Sequence, residues 1–351
     1  MGPRRGDPAF LRPIPRVDCP KSIVSPSDVS VIVTVKNEAS SIGRLLDSLR
    51  SQTISPSEVV IVDGGSTDGT LERLASQRPR LPIRLLIREG TNISQGRNEA
   101  IRAAKGEIIA STDAGVRLVP HWLEELTRPL QEDASLDVVS GFFLPDPQTV
   151  FERAMGATVL PAEGDVDPQS FLPSSRSVAF RREAWQEVGG YPEWLDFCED
   201  LVFDFALLEA GRKFTFAPQA LVYFRPRGSL RSFSRQYFQY ARGDGKADLW
   251  RRRHAIRYLT YLVGVPLIIA LGVILHPVWW SLLPVGAVAY LWAPYRRLWP
   301  MFRDLSLMDK MKVVLWVPII RVWGDVAKIV GYPVGILWRL RHADVPSPEH
   351  P

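Results

Sequence analysis

The sequence predicts an α/β domain with a mainly parallel sheet, followed by a C-terminal hairpin of apolar helices and one more helix lying along a membrane interface. Two observations carry this. Between residues 29 and 113, short β-branched runs alternate with helix-patterned segments, the arrangement of a parallel sheet covered on both faces. Further on, IRYLTYLVGVPLIIALGVIL (256–275) holds a single charge, Arg257, in 20 residues, about the length that crosses a bilayer.

The elements follow in order. VSVIVTV (29–35) is a β-branched run typical of a strand buried on both faces. Ser40 or Ser41 is placed to cap the helix IGRLLDSLRSQ. EVVIVD (58–63) is a second strand, followed by the turn GGSTDG and the helix TLERLASQ, with Asp68 read as an N-cap before Thr70. IRLLIRE (83–89) is a third strand, SQGRNEAIRAAKG a helix from Ser94 closed by Gly106, and EIIASTD (107–113) a fourth strand. Ligands of such sheets sit outside the carboxyl ends of the strands. Asn37, Glu38, Asp63 and Asp113 all fall on that edge.

The remaining segments set limits. Residues 1–28 hold five Pro before residue 21 and no apolar stretch long enough for a signal peptide, so they read as a loose cytoplasmic lead-in. Net charge is +5 with Arg spread along the chain, which argues against a nucleic-acid arm. Cys19 and Cys198 build no disulfide framework, and five His without ligand spacing disfavour zinc. A basic linker (246–255, with Arg251 to Arg253) precedes the first expected span. HPVWWSLLPVGAVAYLWAPY (276–295) is expected as the second, with Trp279, Trp280, Trp292 and Tyr295 at headgroup level. Arg296 and Arg297 follow, so both ends of the hairpin are expected in the cytoplasm, at the inner membrane. In 311–341, Arg321, Asp325 and Lys328 share one helical face and are expected to pair with each other. That segment reads as a helix in the cytoplasmic interface, with a third span as the other reading, before a tail at 342–351.

VIVTVKNEASSIGRLLDSLRSQT, then VVIVDGGSTDGT, then GRNEAIRAAKGEIIASTDAG closely resemble the family 2 glycosyltransferases of GT-A fold. SSRSVAFRREAWQEVGGYPEWLDFCEDLVFDFALLEAGRK is similar to the acceptor half of the same family. The resemblance covers about residues 29 to 245, a nucleotide-binding half (29–115) and an acceptor half (116–245). It implies inverting transfer from a nucleotide-diphosphate sugar, a UDP-sugar favoured, that contacts Thr34, Asn37, Glu38, Asp63, Gly65, Arg97, Asp113 and Arg242. Asp63 and Glu38 suit base and ribose, because a carboxylate is a strong acceptor for a ring N–H. The family's Asp-any-Asp metal motif reads Asp113-Ala114-Gly115 here, with the first carboxylate alone. Mn²⁺ or Mg²⁺ on Asp113 is implied, since such ions accept one or two carboxylates plus phosphate and water. Contact between Asp113 and the sugar is the other reading.

The same resemblance implies Asp200 as general base and Glu199 as a positioning carboxylate. The structural reading of the pair is that acidic residues suit the first turn of a helix. Asp204 reads as structural or solvent-facing. Gln239-Tyr240-Ala241-Arg242-Gly243 matches the family's Gln-any-any-Arg-Trp except for Gly in place of Trp. The missing stacking platform argues against a processive polysaccharide synthase. Arg242 is read on the departing diphosphate or, alternatively, facing lipid phosphates. Phe233, Tyr237, Phe238 and Tyr240 are expected on an amphipathic helix bridging domain and bilayer. The expectation is a membrane-anchored glycosyltransferase of cell-envelope glycan synthesis with a lipid-linked acceptor. Its rivals are a polysaccharide synthase and a non-catalytic nucleotide-sugar-binding assembly protein. No G-x-G-x-x-G or P-loop supports a dinucleotide oxidoreductase or an NTPase.

Overall fold

Four parallel strands, β1 (Val29–Val35), β2 (Glu58–Asp63), β3 (Ile83–Ile87) and β4 (Ile108–Asp113), form one half of an eight-stranded sheet. The computed structural model describes residues 28–77 and 81–342. The lead-in with Cys19 and the tail beyond 342 lie outside the described residues. Helices α1 (Ile42–Arg50), α2 (Thr70–Gln77) and α3 (Ile93–Ala103) alternate with these strands. Alternate side chains of β1 serve opposite layers: Val31 and Val33 join Leu45 and Leu49 of α1, whereas Ile32 joins Ala100 and Ile101 of α3. Both faces are therefore apolar, as a doubly covered strand requires.

The second half departs from the expected mainly parallel sheet, which is mixed. β5 (Val116–Leu118), β6 (Val138–Pro145), β7 (Val178–Arg181) and β8 (Phe214–Phe224) extend it in the order β3-β2-β1-β4-β7-β6-β8-β5. β7 runs antiparallel to both β4 and β6, and β5 antiparallel to β8. Six strands still point one way, so the carboxyl edge remains a common edge. Helices α4 (Trp122–Glu132), α5 (Val150–Val159), α6 (Arg182–Glu187) and α7 (Glu199–Glu209) complete the domain. Because β4 pairs directly with β7, residues 29–115 and 116–245 share one sheet.

Helix starts differ from expectation in two places. Asn92, not Ser94, caps α3 in a capping box with Gln95, each side chain accepting from the other's backbone N–H. Ser41 precedes α1 but gives its hydroxyl to Glu38 instead of capping. Asp68 does accept from the Thr70 N–H, and its second oxygen holds Ala39 N–H at 3.0 Å.

The C-terminal part is a helical layer against this domain. α8 (Leu230–Lys246) lies along α12 (Leu307–Arg341), and their backbones touch. A Cβ at Gly331 would fall 2.3 Å from the Phe238 carbonyl oxygen, and one at Gly335 2.1 Å from that of Arg242. No larger residue fits. Phe233 is fully buried in this seam, so the aromatic helix expected to meet the bilayer packs on protein. Residues 246–255 are no free linker, since they finish α8 and start α9 (Arg251–Tyr258).

Through a π-helical stretch at Leu259–Gly264, α9 continues into α10 (Val265–Ile274). The resulting rod, Arg251–Ile274, is long and apolar enough to cross a membrane. The expected second span breaks at Pro277–Ser281, leaving α11 (Leu282–Leu298) with 17 residues, short of the ~20 a bilayer needs. α11 folds back beside the rod, with Tyr261 and Tyr290 hydroxyls 2.8 Å apart. The expected Arg321–Asp325–Lys328 pairing does not form. Asp325 accepts from Arg257 of the neighbouring helix at 2.7 Å, because Arg followed by Asp at i, i+4 is the weaker order within one helix.

Candidate active site

The register places the site. Thr34 pairs with Asp113 across β1 and β4, and Val35 pairs with Asp63 across β1 and β2, so three strand ends finish level. A cleft of about 1640 Å³ opens at this edge, and Thr34, Glu38, Arg97, Asp113, Glu199 and Asp200 are in its wall.

At its centre is Arg97 of α3, only 3% exposed. Its Nη1 donates to Glu199 Oε1 at 2.5 Å and its Nη2 to Asp113 Oδ1 at 3.1 Å. One guanidinium thus bridges a sheet-edge carboxylate and the acidic pair opening α7. A fork of fixed N–H groups suits two carboxylates at once. Burial pushes the Glu199 carboxyl above its usual range; Arg97 opposes that rise and the Asp200 charge adds to it. Asp200 is half-buried and turned to the cleft. Asp204, one turn on, is buried rather than solvent-facing, and burial followed by the Asp200 charge raises its pKa well above the ordinary value.

Cys198, the N-cap of α7, holds φ at 64°, a left-handed conformation uncommon outside glycine. Its neighbours are gripped by α8. Arg242 donates to Asp196, joined by Lys246 at 3.3 Å, so Arg242 is engaged with the loop before α7 and is not among the cleft-lining residues. A Cβ at Gly243 would stand 2.6 Å from the Phe197 carbonyl oxygen. The Trp of the related motif has no room there.

The remaining expected residues divide by their contacts. Asp63 is fully buried; its Oδ1 accepts from Gly65 N–H at 2.9 Å and Ser66 N–H at 2.8 Å. Its Oδ2 is buried without a hydrogen-bond partner, an uncommon state for a polar atom and one that suits a ligand donor. Gly65 has φ +94°, which only glycine adopts without strain, and makes the turn. Asn37 is spent on that turn, accepting from Thr67 N–H and receiving no cleft position.

Arg176, in the loop before β7, had no role in the sequence reading. Its Nε lies 3.5 Å from Asp113 Oδ2, so two arginines converge on one carboxylate. The signal for it was a lone Arg among serines, SSRS, directly before an apolar strand.

Asp113 offers one carboxylate to a divalent cation, its two oxygens facing Arg97 at 3.1 Å and Arg176 at 3.5 Å. A side chain at Gly115 would find Glu38 Oε2 4.0 Å from its Cβ, so a second carboxylate borders the place that glycine leaves. Among the described residues no group of three or more His, Cys, Asp or Glu converges on a metal position. One or two carboxylates with phosphate and water suffice for Mg²⁺.

Comparison with known proteins gives the same picture. A family model described as glycosyl transferase family 2 matches residues 30–181, and one described as glycosyl transferase family group 2 matches residues 117–320. The succinoglycan biosynthesis protein ExoA of Rhizobium meliloti is 30% identical over 277 residues, 74% of this chain and 82% of that protein. Glycosyltransferase AglE of Haloferax volcanii is 28% identical over 232 residues, 63% of this chain and 74% of that one. A solved mannosyltransferase from Pyrobaculum calidifontis, in complex with GDP-Man and Mn²⁺, shares the fold at TM-score 0.53 and 20% identity, covering 92% of this chain and 91% of that chain. A family model spanning more than half of the sequence, laid over a sheet edge of this geometry, makes the chain a member of glycosyltransferase family 2 with a GT-A-like fold.

Proposed function

We propose that this chain is an inverting glycosyltransferase that moves a sugar from a nucleotide-diphosphate sugar to a lipid-linked acceptor at the cytoplasmic membrane face. The observation that carries the reading is the Arg97 bridge, which puts Asp113 and the Glu199-Asp200 pair in one cleft. The donor base lies toward Asp63 Oδ2, with a UDP-sugar favoured, and Glu38 lies toward the ribose. The acceptor hydroxyl gives its proton to an Asp200 carboxylate oxygen as its own oxygen bonds the anomeric carbon. The bond from that carbon to the diphosphate breaks, and the nucleoside diphosphate leaves with the electron pair. Glu199, held by Arg97, orients the acceptor. Arg176 and Arg97 add positive charge beside the diphosphate, as electrostatic preorganisation requires.

Asp113 would hold Mn²⁺ or Mg²⁺, which when bound supplies charge to the departing diphosphate. The apolar rod Arg251–Ile274 supports membrane attachment. Tethering raises the effective concentration of the enzyme near a membrane-borne acceptor. Gly243, packed on the Phe197 carbonyl, weighs against a processive synthase that stacks its product there.

The test is nucleotide release by detergent-purified protein across a panel of nucleotide sugars with native lipid extract, with and without Mn²⁺ or Mg²⁺. Release with one donor is expected, and Asp200→Asn should lower it on the order of 10²- to 10⁴-fold, the usual share of a general base. Donor binding should be unchanged in that variant. Wild-type turnover retained by Asp200→Asn would refute the assignment.

A further inference from the structure

The cleft does not end at the acidic pair. It continues past Tyr240 and Asp244 to His254, Arg257 and Lys328, at the foot of the apolar rod. Lys328 of α12 is half-buried there and makes no hydrogen bond or ion pair with any described residue; its ammonium lies 5.0 Å from the centre of the Tyr237 ring. Asp244 and Asp325 act on it only through space. Both are already committed, Asp244 to His254 at 3.0 Å and Asp325 to Arg257 at 2.7 Å. Arg253 stacks 4.0 Å from the Trp250 ring centre, and Arg321 lies over Tyr290 with its buried Nε unpartnered. Lys328, Arg253 and Arg321 thus have no ion-pair partner among the described residues, and Arg257 is shared between Asp325 and His254. A half-buried ammonium without a close anion is costly unless a ligand supplies one.

Immediately beyond, the surface becomes apolar. Ile256, Leu259, Leu262 and Val263 are exposed on the rod, and Val322, Val326 and Val330 on α12. The two helices meet where the Tyr258 hydroxyl donates to the Ile329 carbonyl at 2.9 Å. Cations in a cleft, followed by an apolar strip, match a phosphorylated head on a hydrocarbon chain.

We propose that Lys328, with Arg257 and Arg253, forms the subsite for the phosphate or diphosphate of an acceptor carried on an apolar chain, the chain running along the exposed faces of the rod and α12. This rests on the transferase reading and names its acceptor chemistry. Head and reacting sugar then occupy the two ends of one cleft.

The experiment is equilibrium binding to the full chain in detergent, read by tryptophan fluorescence, with farnesyl diphosphate, farnesol, inorganic pyrophosphate and UDP as probes. Farnesyl diphosphate should bind more tightly than either farnesol or pyrophosphate. Lys328→Gln should weaken it on the order of ten- to a hundredfold, the value of a charge-assisted contact, and leave farnesol and UDP unchanged. Arg253→Gln, at an exposed position, should weaken it in the same direction. Equal affinity for farnesol and farnesyl diphosphate, or no change in either variant, overturns the subsite. Equal affinity for pyrophosphate and farnesyl diphosphate overturns the lipid source. The readout needs no turnover, so Lys328-dependent binding supports the subsite even if the donor panel yields no transfer, an outcome that would count against the proposed reaction alone.

Discussion

Arg97→Met removes the guanidinium that bridges Asp113 and Glu199. The guanidinium is buried and holds Glu199 at 2.5 Å and Asp113 at 3.1 Å. Taking away one partner of a buried ion pair leaves an uncompensated charge and costs about 3–5 kcal/mol. For 351 residues, an unfolding entropy of about 2.1 cal/mol/K per residue makes a kilocalorie worth roughly 1–2 °C in melting temperature. A fall of roughly 3–10 °C at pH 8 is therefore expected in detergent. The deficit should depend on pH with a definite sign. Burial already raises the Glu199 pKa in the folded state, so the folded protein binds that proton more tightly than the unfolded chain. Such a group costs stability as pH rises above its unfolded value. Losing Arg97 raises the folded pKa further, so the penalty should be full at pH 8 and shrink as pH is lowered toward 5. Arg97→Met/Glu199→Gln should recover part of the loss, and the double-mutant cycle isolates the pair. A melting temperature within a degree of the parent at pH 8, with no pH dependence, would refute the reasoning.

Other expectations follow from single contacts. Asp63→Asn keeps the oxygen that holds Gly65 and Ser66 but places an amide where the orphan Oδ2 stands. Stability should hold while nucleotide affinity, by calorimetry, falls on the order of tenfold or more. Gly243→Ala drives a Cβ against the Phe197 carbonyl; overpacking should cost about 1–3 kcal/mol in thermal unfolding. The same variant should lower kcat by up to about 100-fold with little change in donor KM, since a shift of about 1 Å in the acidic pair suffices. Burial pushes the Cys198 thiol well above its ordinary pKa, so peptide mapping should find it unalkylated at pH 8 in folded protein and alkylated after denaturation.

The nucleotide half was legible because its signals are local. A β-branched run ending in a carboxylate identifies a strand and its edge together, and β2 and β4 do this at Asp63 and Asp113. The start of α3 lies two residues before the expected Ser94, at Asn92, where Asn three residues before Gln closes a capping box. The mixed half was not legible. β7 is a strand by composition, yet its antiparallel place between β4 and β6 depends on pairings that no local pattern encodes. Arg176 gained meaning only once that pairing brought it to Asp113. The charged face of α12 misled for a related reason: Arg321, Asp325 and Lys328 share a face, but the partner of Asp325 comes from another helix.

The acidic pair that opens α7 is a helix-start signal and, in the proposed reaction, the chemical device, and the loop before it shows how both hold together. Two carboxylates in a first turn gain from the helix dipole wherever they point. Their direction is set by Cys198, whose left-handed backbone is a local strain that surrounding contacts must hold in place. Many of those contacts come from α8: Arg242 and Lys246 on Asp196, Gly243 on the Phe197 carbonyl, and the Tyr240 carbonyl and Asp244 on the Cys198 thiol. Helix α8 is in turn pressed to α12 through Gly331 and Gly335, where backbones meet without side chains between them. Close packing of this kind transmits displacement instead of absorbing it. Packing strain between α12 and α8 therefore bears on the loop that opens α7. Gly243, which departs from the related motif, is one of the contacts through which the helical layer grips that loop.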